Sequence, residues 1–304
     1  MYIVRNRIST ERDRRMKTPE GNTRNSKAAS ILRTIILACA LLILSAQAVQ
    51  AGETWKVTQE LNKGNDLAHM FYTIKGSSGC LIVIDGGYKQ NADYVKSVIK
   101  KAGGTVDLWI VTHPHPDHCG AFLQVLDDSS IKIKRIVTTK IPISVYTSKT
   151  QFAYSLFKKF YEKLKKLPNV TYMKKGRTLS IRNLKIRFYN SYTNSLQKKT
   201  DLRSLINKYS LAFRISAKKR SIFFAADILP QQADQIAEKY GKEIRSNYLQ
   251  VPYHGRVSYE PVTFYKTVAP SKAFVDGGRY LNVSILKKMA KVLYLGKKHS
   301  VTLK

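Results

Sequence analysis

Beyond residue 54 the chain reads as short apolar runs separated by polar or amphipathic stretches. Strand character falls at 55–61, 70–75, 80–85, 108–112, 135–139, 184–190, 209–216, 221–227, 248–252 and 273–277. Helical spacing falls between them at 91–102, 119–127, 150–167, 230–240, 259–267 and 282–291. Runs such as "CLIVID" and "SIFFAAD" are apolar at successive positions rather than alternate ones. Strands of that kind are buried on both faces, so sheets covered by helices are expected. No internal repeat and no low-complexity segment is visible, and the polar stretch 191–201, "SYTNSLQKKTD", is the expected long loop.

The pattern upstream is different. Nine basic residues precede the apolar run Ile35–Leu44, and small residues follow in "SAQAVQAGE". That order predicts a signal peptide over 1–51, with Ala46-Gln47-Ala48 or Val49-Gln50-Ala51 at the cleavage point. Ten apolar residues fall short of the roughly 20 that a spanning helix needs. An uncleaved anchor, with membrane association through 31–48, is the alternative. The expected location is secreted or extracellular, on the outer side of the membrane, with 52–304 as one domain.

Charge adds a partner class. The chain carries 53 Lys+Arg against 20 Asp+Glu, a net +33. Between Lys132 and Arg220 stand 24 basic residues and only Glu162 and Asp201, a net +22. One reading is a solvated basic face. The other is attraction of a polyanion, either nucleic acid, cell-wall teichoic acid or an anionic membrane surface. Tyr146, Tyr154, Tyr161, Tyr172, Tyr189 and Tyr192 lie in the same stretch, where they serve either half-buried packing or base stacking, packing being the commoner use.

Six histidines occur in the chain, and three of them fall in "THPHPDHCG". His113, His115, Asp117 and His118 follow an apolar strand directly, where Pro114 and Pro116 are expected to hold the backbone extended. Period two then points His113 and His115 to one side, while Asp117 and His118 turn toward a second position. Imidazole and carboxylate without thiolate suit zinc, manganese or iron. Asp227 and His254 end two later apolar strands and are the remaining ligand candidates. Cys80 and Cys119 lack metal-ligand spacing and are expected as free thiols. His69 reads as structural, and His299, in a lysine-rich turn, as solvated.

"HPHPDHCG" resembles the H-x-H-x-D-H signature of the metallo-β-lactamase superfamily, and "LIVIDGG", "NKYSLAFRI", "FFAAD" and "VPYHG" follow in that family's order. Within it the chain is similar to the lactamase-like domain of bacterial competence DNA-channel proteins. Asn207, Ser210 and Leu211 match an N-x-x-S-L segment, Asp227 a G-D strand end with Ala226 in place of Gly, and His254 and Gly255 an H-H-G segment with Tyr253 in place of its first histidine. The resemblance implies an α/β fold, an αββα sandwich of two mixed β-sheets flanked by helices, over roughly 55–304. It further implies His113 and His115 on a first ion, Asp117, His118 and His254 on a second, Asp227 bridging, and Asp85 orienting ligands from behind. Many relatives place another histidine ligand between the signature and the bridging Asp; this chain has none between His118 and His254. That departure weakens the first position and argues against β-lactam hydrolysis.

The expected activity is metal-dependent hydrolysis using one or two Zn²⁺, with Mn²⁺ as an alternative, in which Asp117 and His118 act catalytically on water activated by the metal. A phosphodiester substrate uses both the metals and the basic surroundings, which makes a nuclease or phosphodiesterase the leading expectation. A teichoic-acid phosphodiesterase and a non-catalytic polyanion-binding protein are the alternatives.

Overall fold

The computed structural model describes residues 34–35, 52–61, 68–146, 148, 151–193 and 202–304. Contacts divide the chain into Met1–Val49 and Gln50–Lys304. The export and membrane-association expectations for 1–51 and 31–48 fall, apart from Thr34 and Ile35, outside the described residues. Among the described residues no helix is long and apolar enough to cross a membrane.

The second unit opens with β1 (Trp55–Gln59), β2 (Phe71–Gly76) and β3 (Leu81–Asp85), followed by α1 (Ala92–Lys101), β4 (Thr105–Val106) and β5 (Leu108–Val111). Next come α2 (Pro116–Val125), β6 (Lys132–Ile133), β7 (Ile136–Thr138), α3 (Tyr154–Lys165) and β8 (Val170–Tyr172). The chain continues through β9 (Thr178–Ile181), β10 (Leu184–Asn190), α4 (Leu202–Lys208), β11 (Ala212–Ser216) and β12 (Ser221–Phe224). It ends with α5 (Pro230–Tyr240), β13 (Tyr248–Gln250), α6 (Val262–Val268), β14 (Lys272–Val275), α7 (Ser284–Met289), β15 (Lys291–Tyr294) and β16 (His299–Leu303).

Two seven-stranded sheets result, ordered β16-β1-β2-β3-β5-β7-β8 and β15-β14-β13-β12-β11-β10-β9, with a small β4-β6 ribbon beside them. In the first sheet the strands from β16 to β3 pair antiparallel and those from β3 to β8 parallel. The second sheet repeats that plan, antiparallel from β9 to β12 and parallel from β12 to β15. The inner faces meet in one core that includes Trp55, Tyr72, Ile82 and Ile110 from the first sheet and Ile186, Phe213, Phe224 and Phe274 from the second. On the outer face of the first sheet, Val95, Phe122 and Phe160 anchor α1, α2 and α3 over Trp109. On that of the second, Ile236, Phe264 and Leu286 anchor α5, α6 and α7 over Phe223 and Leu249. This is the αββα sandwich expected from the sequence.

One local expectation is corrected. Pro116 begins a helix instead of preventing one: at the first helical position its missing N–H costs nothing and its fixed φ suits the turn. His115 is the residue before that helix, in extended conformation, and its carbonyl accepts from the N–H groups of His118 and Cys119. The basic-stretch tyrosines follow the packing reading: Tyr146 stacks edge-on against Tyr154 and Phe157, Tyr161 contacts Phe157 and Tyr172, and Tyr189 contacts Phe223. Cys80 and Cys119 are free and buried, as expected. Most of the loop expected at 191–201 lies outside the described residues.

Candidate functional site

The site stands where both sheets switch from antiparallel to parallel pairing. β3 ends at Asp85, which takes a left-handed φ of 52°. β5, the next strand over, runs into His113 and His115, and the first turn of α2 adds Asp117 and His118. An acid in that turn is favoured by the helix dipole. Gly120 lets the helix seat there, because a Cβ would lie 2.5 Å from the Lys89 backbone nitrogen. In the second sheet β12 leads through Ala226, φ 49°, to Asp227. The neighbouring β13 leads to Tyr253 and His254, at φ 49° and 57°. Left-handed conformations at three non-glycine corners cost roughly 1–2 kcal/mol each and mark where the fold bends backbone to aim side chains.

All seven residues singled out from the sequence meet here. Ligand-type atoms of His113, His115 and Asp227 lie within 4.8 Å of one another, and so do those of Asp117, His118 and His254. Asp227 spans the two groups. Its Oδ2 is 3.8 Å from His113 Nε2, while Oδ1 is 3.2 Å from His118 Nε2 and 3.3 Å from His254 Nε2. Asp117 Oδ2 is 3.3 Å from His254 Nε2. Behind them, Asp85 accepts from the Thr112 N–H and hydroxyl and meets His118 Nδ1, all at 2.7 Å. That contact leaves His118 Nε2 facing the centre.

Electrostatics separate the two groups. Burial, then the neighbouring His118 and His115, holds His113 well below the usual imidazole range, so it presents a neutral ring with a lone pair. Burial opposes protonation of His118 as well, yet Asp227, Asp117 and Asp85 outweigh it and hold its pKa well above the ordinary value. His254 is raised to about 10 against burial, chiefly by Asp227 and Asp117. Asp227 and Asp117 are driven low despite burial, mainly by His254 and His118 for the first and by His118 for the second. Two carboxylates, Asp227 buried and Asp117 partly buried, thus draw positive charge into the space between these atoms. A divalent cation held by these residues would supply it in place of the imidazole protons. His113 Nε2 is buried with no hydrogen bond. Donor type, convergence and this unbonded nitrogen all fit a divalent metal.

A cavity of about 250 Å³ opens on the site, lined by Tyr88, His115, Asp117, Phe152, Asn207, Asp227, Tyr253, His254 and Arg256. The sequence matched Asn207 only to a motif. In the structure it is 1% exposed and its Oδ1 is buried without a hydrogen bond. It is held there because Leu211 N donates to Thr112 O and Asn190 Nδ2 donates to Lys208 O and Ser210 O. Arg256, two residues past His254, was not singled out at all. Nor was Asp276, which takes Tyr72 OH at 2.6 Å, Gln59 at 2.7 Å and Gln250 at 3.0 Å, tying the sheets together below the site. Its signal was present, since "FVDGG" at β14 echoes "VIDGG" at β3. His69 is buried beside Gly87, and burial followed by His254 lowers its pKa to about 3. His299 bonds the Tyr294 carbonyl through Nε2, away from the site.

Residues 64–171 match the family model described as "Metallo-beta-lactamase superfamily". That span holds the His113–His118 cluster and ends before Asp227 and His254. No curated protein matches the sequence. Among solved structures, the metallo-β-lactamase fold protein YhfI from Bacillus subtilis is 14% identical, with a TM-score of 0.52, over 82% of this chain and 100% of that one. Igni18, a metallo hydrolase from the archaeon Ignicoccus hospitalis, is 15% identical, with a TM-score of 0.48, over 83% of this chain and 99% of its own. At these identities the likeness is one of fold: the chain has the metallo-β-lactamase fold.

Proposed function

We propose that this metallo-β-lactamase-fold chain is an exported, metal-dependent phosphodiesterase, with nucleic acid as its substrate. The observation that carries the reading is Asp227, whose two oxygens face two separate His/Asp groups at the floor of one cavity. His113, His115 and Asp227 would hold one ion, with the unbonded Asn207 oxygen as a further donor from the same cavity, where a histidine is missing. Asp117, His118, His254 and Asp227 would hold the other. A bound divalent metal such as Zn²⁺ or Mn²⁺ supplies acidified water and neutralises charge developing on phosphoryl oxygens.

The chain's own groups do the rest. Asp117 is the one ligand-type carboxylate with appreciable exposure, 19%, so it is placed to orient water and take its proton. Asp85 fixes the His118 ring. Arg256 lines the cavity and offers a guanidinium to a phosphate oxygen. The similarity of "HPHPDHCG" and "NKYS" to competence-channel domains, and the net +22 between Lys132 and Arg220, support a nucleic-acid substrate over a neutral one. The export signal read in 1–51 supports action outside the membrane.

The test is cleavage of single- and double-stranded DNA by the purified protein with Zn²⁺ or Mn²⁺, beside Asp227→Ala. Metal-dependent cutting is expected, reduced by at least roughly 1,000-fold in the variant. If the wild type binds metal yet leaves DNA intact while cleaving teichoic-acid phosphodiesters, the substrate assignment fails and the wall polymer replaces it. If DNA binding persists without metal or cleavage, the protein is a polyanion binder.

A further inference from the structure

A second concave site lies at the other end of the second sheet. It is a pocket of about 380 Å³ whose lining includes Arg214, Lys218, Lys219, Arg220, Lys242 and Arg245 and contains no carboxylate. Ser221 at its wall and Asp227 at the metal groups are separated by the length of β12 and the turn after it, up to roughly 20 Å of extended chain.

One cation of the pocket, Arg214, is partly buried and held in place, and the other five are exposed around it. Arg214 is over half buried, which lowers its pKa. Its Nε donates to the Arg245 carbonyl at 3.0 Å and to Ser246 Oγ at 3.2 Å, and its Nη2 to Ser221 Oγ at 2.9 Å. Arg220 is steadied by Tyr248 OH at 3.0 Å. Asn247 accepts the Ser221 N–H through Oδ1, which leaves its amide NH₂ as a further donor at the wall. The turn carrying Lys218 and Lys219 is closed by Ala217 N to Arg220 O and by Lys219 N to Lys304 O.

What the pocket lining lacks is an acidic side chain. Elsewhere acids are placed against cations: Asp128 beside Lys96 and Lys100, Asp107 with Lys134, Asp127 with Lys163, and Glu60 with Lys298. The nearby Glu243 is 3.1 Å from Arg187 and does not line the pocket. None of the six pocket cations has a carboxylate partner among the described residues. A half-buried guanidinium bonded only to neutral acceptors, with five exposed cations around the hollow, presents positive charge that a bound anion would neutralise. Guanidinium and hydroxyl donors around a polar hollow match phosphate geometry.

We propose that this pocket binds a phosphate group carried in an oligophosphate or phosphodiester chain, independently of the metal groups. For a polymer substrate it acts as an anchor at a distance from the cleavage site; for a free oligophosphate it is a separate ligand site.

The experiment is calorimetric titration of the full chain, stripped of metal by a chelator, with inorganic tripolyphosphate at low salt. The same titration is repeated on the double variant Lys218→Gln/Arg245→Gln and on Lys158→Gln/Lys165→Gln, which removes equal charge from α3. Binding is expected without metal, weakened roughly tenfold or more in the pocket variant and less than about twofold in the α3 variant. Equal weakening in both, or none in the pocket variant, overturns the proposal. A parallel titration with oligothymidylate separates the sources. If it follows the same variant order the anion is a polymer phosphate, and if only tripolyphosphate does, it is a free oligophosphate. Because metal is absent throughout, the outcome does not depend on the hydrolase assignment.

Discussion

The two halves of the sandwich share one plan and use it differently. In each, the strand at the switch from antiparallel to parallel pairing leads to a buried carboxylate, Asp85 at the end of β3 and Asp227 shortly after β12, and the next parallel strand delivers histidine. Yet the two acids are shifted in opposite directions from the ordinary carboxylate value. Burial dominates at Asp85 and raises its pKa, because it faces one imidazole and two neutral Thr112 donors. At Asp227 burial is overcome by His254 and His118, and the pKa falls well below the ordinary value. Equivalent topology therefore yields one carboxylate that supports a ligand and one that is placed to be a ligand. The fold supplies two ends; which becomes the centre is decided by how many histidines surround it.

The contrast is sharpest in metal affinity. Asp227→Asn should abolish measurable binding of both ions, whereas Asp85→Asn, which weakens only the hold on His118, should cost roughly 10- to 100-fold. Metal titration with a competing chromophoric chelator distinguishes them, and equal losses would break the comparison. The Asp-Gly-Gly ends of β3 and β14 give a second contrast. A Cβ on Gly277 would lie 2.6 Å from the His254 carbonyl oxygen, whereas one on Gly86 meets only ordinary contacts at 3.5 Å. Gly277→Ala should destabilise by about 1–3 kcal/mol in urea unfolding and disturb the His254 turn. Gly86→Ala should stay within about 1 kcal/mol.

The smallest effect concerns pH. Burial raises the Asp276 carboxyl above its ordinary 3.8 despite hydrogen bonds from Tyr72, Gln59 and Gln250. The folded chain then holds that proton more tightly than the unfolded chain, so its contribution to stability falls as pH rises from 3.8 toward the folded value. Asp276→Asn is neutral throughout, so the stability difference, variant minus wild type, should grow with pH across that window and then level off. A flat difference from about pH 3 to pH 7 in chemical denaturation would refute the assignment.

The strands of the two large sheets that were missed from the sequence fall into a pattern. β16 and β8 flank the first sheet, and β15 and β9 flank the second; none of the four was read, and every interior strand was. Edge strands are short and polar because a long apolar edge invites pairing with other chains. "KVLY" and "TLSI" lie among lysines and turn residues and so look like loop. The site was legible where rare residue types followed apolar strands, as at His113–His118, Asp227 and His254. It was not legible where the role depends on tertiary placement. Asn207 is an ordinary polar residue at the end of a seven-residue helix until Leu211 pins it against Thr112, and Pro116 reads as a helix breaker until it stands at the first turn.

The pairing of β1 with β16 has a consequence for how the molecule comes into being. Thr58 and Ser300 bond at 3.0 Å across 242 residues of chain, and Trp55 through Gln59 match Leu303 through His299 in register. Closing so long a loop is entropically slow. During synthesis this strand pair stays open until His299–Leu303 are free, leaving one flank of β1 without its partner while the parallel strands beyond β3 already have theirs.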